Sequence, residues 1–97
     1  MTTEAPPLRA GVVGLGTMGR NHVRVYDELV EEVELVAVAD PDPAALRSAT
    51  TGRAARGYTD IARLFAEERL DLLSVAAPTS RHLDVALAAF AAGVNVL

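Results

Sequence analysis

The stretch Gly14-Leu15-Gly16-Thr17-Met18-Gly19 decides the fold. This G-x-G-x-x-G element follows residues 8–13, a short apolar segment with the character of a β-strand. Residues 17–30, which have helical spacing, come next, and a second apolar strand, residues 35–39, ends directly before Asp40. A strand, a glycine turn, a helix, a strand and an acid in this order are the fingerprint of a dinucleotide-binding βαβ unit.

The composition is that of an ordinary globular protein with one core. The chain has 97 residues, of which 51% are hydrophobic and 23% are charged. Its net charge of −4 argues against nucleic acid or an anionic membrane as a partner. Cysteine is absent, which excludes disulfides and thiolate metal sites and fits a cytoplasmic protein. No spacing of histidine and acidic residues resembles a metal site.

All nine basic residues are arginine. Without a lysine the chain cannot supply a P-loop lysine, so the G-x-x-x-x-G-K-[ST] interpretation of the glycine loop is excluded. A catalytic lysine within the chain is excluded for the same reason. Aromatic residues make up only 4% of the sequence, which argues against a stacking platform for single-stranded nucleic acid.

Strand and helix patterns alternate along the rest of the chain. We predict further helices at residues 43–50, 61–68 and 80–92 and further strands at 55–58, 72–76 and from 94 onward. Asp42 and Asp60 are the predicted N-caps of the second and third helices, and Gly52 and Gly93 end the second and fourth. Right-handed crossovers then favour an α/β fold, a doubly wound parallel sheet (Rossmann) of order 3-2-1-4-5.

The chain ends inside the fifth strand, so we expect residues 8–97 to form an incomplete dinucleotide-binding domain, truncated after the start of that strand. Residues 1–7, with one acid and two prolines, are expected to be a flexible leader and not a signal peptide. Glu31, Glu32 and Glu34 are predicted to form an acidic turn after the first helix.

Apolar spacing predicts which helix faces are buried. For the first helix the predicted inward residues are Met18, His22, Val25, Tyr26 and Leu29. For the third they are Ile61, Leu64 and Phe65, and for the fourth they are Leu83, Ala86, Leu87 and Phe90. Tyr58 is predicted to lie in the core at the end of the third strand.

Each glycine of the loop has a predicted role. Gly14 allows the tight turn, Gly16 lets a pyrophosphate approach the backbone, and Gly19 lets the helix pack close to the sheet. The free N–H groups at the start of the helix would face the phosphates with the positive end of the helix dipole. The alternative is a turn that is rich in glycine without binding anything.

Asp40 is the candidate for recognition of the adenosine ribose. Its carboxylate would accept hydrogen bonds from the two ribose hydroxyls and would repel a 2′-phosphate. Pro41 follows it where an NADP-binding protein would place an arginine, so NAD is favoured over NADP. The alternative is that Asp40 only starts a turn before the proline.

Residues 77–82, Ala-Pro-Thr-Ser-Arg-His, follow the fourth strand beside the switch point of the sheet, where open α/β sheets bind ligands. Thr79 could hydrogen-bond the cofactor, and Ser80 could cap the fourth helix. His82 faces either the cleft or solvent, and a lone histidine is more often structural than catalytic. His22 is interpreted as a packing residue.

These segments resemble the N-terminal cofactor domain of the glucose–fructose oxidoreductase / inositol 2-dehydrogenase (Gfo/Idh/MocA) family. The similarity is carried by residues 11–22, 34–40, 58–64, 77–82 and 92–97, which together cover nearly all of the chain after Leu8. The P-T-x-x-H block that begins at Pro78 and the G-x-x-V-L ending are more specific than the glycine loop.

The resemblance implies the NAD(P)-binding portion of a dehydrogenase that transfers a hydride between a nicotinamide cofactor and a sugar, a polyol or a related hydroxy compound. It implies that the dinucleotide is bound by Gly14, Gly16, Thr17, Met18, Gly19 and Asp40. It also places four residues near the nicotinamide half of the cofactor, namely Ala77, Pro78, Thr79 and His82.

The resemblance further implies a Glu-Lys-Pro motif directly after Leu97, whose lysine works in the active site. A C-terminal domain would then supply the substrate pocket and a homo-oligomer interface. On this interpretation the 97-residue chain holds no catalytic residue unless His82 serves as one, and it is inactive alone.

Two other interpretations stay open. The first is a stand-alone nucleotide-binding or interaction module without catalysis. The second is a different small-ligand Rossmann domain, such as that of a methyltransferase. The second fits poorly, because both the complete glycine triplet and the proline–threonine block speak against it.

Overall fold

Strands and helices alternate throughout the part of the chain that a computed structural model describes, residues 6–29, 31–76 and 79–96. The elements are β1 (Leu8–Val13), α1 (Thr17–Glu28), β2 (Val33–Ala39), α2 (Pro43–Thr50), β3 (Arg56–Tyr58), α3 (Ile61–Glu67), β4 (Leu72–Val75), α4 (Thr79–Ala91) and β5 (Asn95–Val96). Among the described helices, none is long and apolar enough to cross a membrane.

The five strands form one parallel sheet in the order β3-β2-β1-β4-β5, which confirms the predicted topology. β1 is the central strand, and its last residue, Val13, pairs with Ala39 of β2 and Val75 of β4. Three neighbouring strands therefore end at the same level. The loops that follow them meet at one edge of the sheet, which we call the carboxyl edge.

Neighbouring residues of the central strand serve separate cores on the two faces of the sheet. Val12 belongs to the core that lies under α1 and α2, together with Val23 and Leu46. Val13 belongs to the other core, which lies under α3 and α4 and contains Leu64 and Val85. The strands are thus covered on both faces, as their nearly unbroken apolar sequences indicate.

The predicted inward face of α1 is wrong at three positions. Exposed side chains are found at Met18, Val25 and Leu29, and His22 is half-buried. The buried residues are Gly19, Val23 and Tyr26, of which only Tyr26 was predicted. The reason is that Gly19 must face the sheet at the start of the helix, and Val23 and Tyr26 follow it on the same side one and two turns later.

The predicted inward face of α4 is wrong at Leu87, which is exposed, whereas Val85 and Ala89 are buried. The side chains of Leu83 and Phe90 lie outside the described residues. On α3 the prediction is confirmed, since Leu64 is buried and Ile61 and Phe65 pack against the same core.

Element ends follow the sequence closely, with one correction at the acidic turn. β2 begins at Val33, because it pairs with β1 from Leu8 onward, and Glu34 therefore lies in the strand opposite Arg9. Both predicted caps are confirmed: Asp42 accepts a hydrogen bond from Ala44 N and Asp60 accepts one from Ala62 N. Gly52 and Gly93, which follow α2 and α4, have φ angles of 76° and 75°.

The buried carboxylate of Glu68 connects the end of α3 with strands β1 and β3. Glu68, directly after α3, is buried and forms a two-pronged ion pair with Arg56 at the start of β3. The hydroxyl of Tyr58 donates to Glu68 Oε2 over 2.5 Å, and Arg9 of β1 lies 3.6 Å from Oε1. The Arg56 hydrogen bonds hold the pKa of Glu68 below its ordinary value, and Tyr58 and Arg9 act in the same direction.

We expect Glu68→Gln to lower the free energy of unfolding by about 1–3 kcal/mol at neutral pH, because charge-assisted hydrogen bonds of a buried carboxylate are lost. Since folding lowers the pKa of Glu68, its stabilisation is complete at neutral pH and is lost as the pH falls through the folded value. Urea unfolding at several pH values measures both effects. The matched control is Glu67→Gln, which breaks an exposed pair with Arg63 and should cost less than about 0.5 kcal/mol.

A Glu68→Gln variant as stable as its Glu67→Gln counterpart at neutral pH would contradict the stabilising role of this cluster. A stability difference from the wild type that does not shrink on acidification would contradict the pH argument.

Candidate functional site

The carboxyl edge brings together the glycine loop after β1, Asp40 after β2 and Ala76 after β4. Backbone hydrogen bonds continue the sheet beyond the last paired residues: Gly14 N donates to Ala39 O, and Ala76 N donates to Val13 O, each over 2.8 Å. β1 connects to β2 on one side and lies beside β4 on the other. The crevice outside the ends of β1 and β4 is therefore the switch point of the sheet.

Gly14 starts the loop in a left-handed conformation, with a φ angle of 92°. Residues with a Cβ rarely adopt this region, so glycine is required for the chain to turn out of β1. The turn directs the chain at once into α1, which begins at Thr17.

Gly19, in the first turn of α1, packs directly on the backbone of the loop. A Cβ atom at this position would lie 1.7 Å from the carbonyl oxygen of Gly14 and 2.7 Å from its carbonyl carbon. Both are backbone atoms that cannot rotate away. The absence of a side chain at Gly19 thus sets the distance and the rotation of α1 relative to the sheet.

Gly16 lies at the N-cap of α1 and faces open space. Its φ angle is −70°, which any residue can adopt, and a Cβ placed on it would meet no atom of the described residues within 4 Å. No side-chain cap is formed at this helix start, and its first turn contains no acidic residue. The exposed start of α1 therefore presents backbone N–H groups and the positive end of the helix dipole to whatever occupies that space.

Asp40 is half-buried beside the loop, and both of its carboxylate oxygens accept hydrogen bonds from the backbone. Leu15 N donates to Oδ2 over 2.8 Å, and Asp42 N donates to Oδ1 over 2.9 Å. The bond to Asp42 belongs to the turn that the sequence indicated. The bond to Leu15 was not anticipated, because it joins two loops that are distant in sequence.

A carboxylate offers about four lone-pair sites, so Asp40 retains one on each oxygen. Hydroxyl groups of a ligand can donate to these while both backbone bonds persist. The position of Asp40 at the end of β2, next to the open space above Gly16, suits a ligand that spans from the helix start to the second strand.

Four predicted contacts of the nicotinamide half stay predictions. Ala77 and Pro78 lie outside the described residues, as do the side chains of Thr79 and His82. The backbone of Thr79 begins α4, one residue earlier than predicted. Met18, in the first turn of α1, is 62% exposed. Among the described residues, no group of three histidine or acidic side chains could hold a metal ion.

Comparison with known proteins identifies the family. Residues 8–97 match the model of the oxidoreductase family with an NAD-binding Rossmann fold, Gfo/Idh/MocA. The chain belongs to this family. The match begins at the first residue of β1, so it includes the glycine loop and Asp40.

Among curated relatives, the inositol 2-dehydrogenase of Streptomyces avermitilis is 33% identical over 91 residues, which are 93% of this chain and 26% of that protein. The solved structure of myo-inositol 2-dehydrogenase from Lactobacillus plantarum superposes with a TM-score of 0.86 at 34% identity, over 93% of this chain and 27% of that one.

The WlbA dehydrogenase from Bordetella pertussis, solved in complex with NADH and UDP-GlcNAcA, superposes with a TM-score of 0.87 at 30% identity, over 93% of this chain and 28% of that one. The chain thus spans about a quarter of the length of these family members.

Proposed function

We propose that this chain binds NAD as the cofactor-binding part of a cytoplasmic oxidoreductase that acts on a polyol or sugar. The observation that carries the proposal is the open, uncapped start of α1 above Gly16, with the carboxylate of Asp40 beside it. This arrangement offers hydrogen-bond donors for a pyrophosphate next to an acceptor for ribose hydroxyls. Family membership and the complex of a relative with NADH support the same cofactor.

In this proposal the backbone of the glycine loop holds the pyrophosphate, since the N–H groups at the start of α1 are fixed by the packing of Gly19. Asp40 accepts the hydrogen bonds of the adenosine ribose, and its charge disfavours a 2′-phosphate. When bound, the nicotinamide accepts or returns a hydride at C4. Ala77, Pro78, Thr79 and His82 follow β4, on the side of the switch point where the nicotinamide half would lie.

The substrate class rests on the relatives, two of which are named as inositol 2-dehydrogenases and one of which was solved in complex with UDP-GlcNAcA. Oxidation of a secondary alcohol needs a base for the hydroxyl proton. The chain has no lysine, so a lysine base of the kind that the resemblance implies would come from outside residues 1–97.

We expect Asp40→Ala to lower the ratio of NAD to NADP specificity at least tenfold. The loss of one or two charge-assisted hydrogen bonds costs about 1.5–3 kcal/mol each at most, and the repulsion of a 2′-phosphate disappears. The measurement is kcat/KM of the natural protein for each cofactor with a panel that includes myo-inositol. A ratio is informative because effects of the substitution that are common to both cofactors cancel.

Asp60→Ala is the control, because it removes an acidic helix cap at the same edge, after β3, and should leave the ratio unchanged. An unaltered ratio in Asp40→Ala would contradict the role of Asp40. Failure of the natural protein to oxidise any polyol or sugar of the panel with either cofactor would contradict the proposed reaction.

A further inference from the structure

The glycine loop is held to the end of β2 by two hydrogen bonds, one from each of its first two residues. Gly14 N donates to the backbone oxygen of Ala39, and Leu15 N donates to the side chain of Asp40. The first bond does not depend on any side chain. The second depends entirely on the carboxylate, so the path of the loop at Leu15 is sensitive to what stands at position 40.

Leu15 is the residue whose position matters most for the loop. Its side chain is buried in the core under α1 and α2, with 4% of its surface exposed. Glycines flank it on both sides, and glycine gains more backbone freedom than any other residue when constraints are removed. Fixing the Leu15 amide therefore restrains the turn that leads from Gly14 to the start of α1.

We propose that Asp40 is a positioning residue for the pyrophosphate-binding loop in addition to a ligand of the ribose. In this role the carboxylate fixes Leu15 N and thereby the direction of the N–H groups at Gly16 and Thr17. This inference deepens the proposed function and rests on it for its ligand. Its structural half, the restraint of the loop by Asp40, holds in the absence of any ligand.

The ribose site and the pyrophosphate site should be coupled, because both depend on the carboxylate of Asp40. Ribose hydroxyls that donate to the free lone pairs of Asp40 also fix its side-chain rotamer, which restrains the Leu15 contact. The glycine loop is then already partly ordered before the pyrophosphate binds. Less conformational entropy is lost on binding, so the affinity for the pyrophosphate rises. Binding of the ribose and of the diphosphate should therefore be cooperative.

The first test measures amide hydrogen exchange of the ligand-free protein at single residues. In Asp40→Ala, exchange at Leu15 should accelerate at least tenfold, because the acceptor is gone, while exchange at Val12 and Val38 in the strands stays slow. The matched control is Asp42→Ala, which removes a neighbouring carboxylate that caps α2 and does not contact the loop. It should leave exchange at Leu15 unchanged.

Unchanged exchange at Leu15 in Asp40→Ala would overturn the proposal, whether or not the protein binds NAD. Should Asp40→Ala also accelerate exchange at Val12 and Val38, Asp40→Leu replaces it, since leucine has a similar branched shape and offers no acceptor to Leu15 N. Faster exchange confined to the loop of that variant then supports the proposal, and its absence overturns it.

The second test measures how much affinity the diphosphate adds. The quantity is the dissociation constant of adenosine divided by the dissociation constant of ADP. A carboxylate that contacts only the ribose contributes equally to both ligands, and Asp40→Ala would leave the ratio unchanged. Loss of its negative charge alone would increase the ratio, because repulsion of the phosphates falls. A positioning role predicts the opposite sign, a decrease of threefold or more.

An unchanged or increased ratio would overturn the coupling. If neither adenosine nor ADP binds the wild-type protein, the proposed function fails, and the coupling that rests on it fails too. The exchange measurement on the free protein still decides the restraint of the loop by itself.

Discussion

Gly19→Ala is expected to lower the free energy of unfolding by about 3 kcal/mol or more. The new Cβ would lie 1.7 Å from the carbonyl oxygen of Gly14, so either α1 must move away from the sheet or the loop must change its path. Forcing an atom into a closely packed site costs typically about 1–3 kcal/mol, and more when the obstacle is backbone. At an unhindered helix position the same substitution would stabilise by up to about 1 kcal/mol.

Gly16→Ala is the matched control for this prediction, because it adds the same methyl group to the same loop at a position where no atom of the described part of the chain lies within 4 Å of the new Cβ. It should cost no more than about 1 kcal/mol, the disadvantage of alanine relative to glycine at an N-cap. Urea unfolding of the two variants gives the comparison. Equal unfolding free energies for the two alanine variants would show that α1 does not depend on the contact at Gly19.

Gly16→Val should reduce affinity for NAD at least tenfold, or about 1.4 kcal/mol, while the free protein stays folded. The branched side chain would project into the open space above the start of α1, where the proposed pyrophosphate must approach the backbone. In the free protein it meets no atom of the described residues, so the variant should stay folded although valine is a poorer N-cap than glycine. Loss of binding without loss of stability would locate the ligand in that space.

Calorimetric titration of NAD into the wild type and the variant measures this effect. The control is Ala54→Val, which adds a branched side chain at an exposed position after α2, at the opposite edge of the sheet. It should leave the dissociation constant unchanged. Equal dissociation constants for the wild type and Gly16→Val would exclude the glycine loop as the pyrophosphate site.

Features that depend only on residues close together in sequence were predictable. Asp42 and Asp60 cap α2 and α3 as predicted, because an N-cap is a contact between a residue and the turn that follows it. Strand order was predictable for a different reason: handedness and short connections leave few arrangements for alternating strands and helices. β1 and α2 were predicted with the bounds that the structure has.

Helix rotation was not predictable from apolar spacing alone. The apolar residues of α1 suggested a face through Met18, Val25 and Leu29, and all three are exposed. The observed rotation is decided by a backbone contact at Gly19, a residue that contributes nothing to an apolar pattern. The glycine motif itself contained this information, since close packing of the third glycine implies that its side of the helix faces the sheet.

The contacts of acidic side chains with distant residues could not be predicted either. Glu68 follows a helix in a charged stretch, which is typical of a solvated residue, yet it is buried against Arg56 and Tyr58. Likewise, nothing near Asp40 in sequence indicates that Leu15 N would donate to it. Both contacts depend on strand order and register, which bring the partners together only in the folded sheet.

The alternation of Val12 and Val13 between two separate cores limits how this domain can change in length during evolution. One residue inserted into β1 would exchange the sides of every residue beyond it and would move Gly14 away from the end of β2. The loops at the carboxyl edge are similarly constrained, because Asp40 spans two of them. Insertions and deletions are therefore compatible with the fold mainly in the turns that follow α1 and α2, at the edge away from the glycine loop.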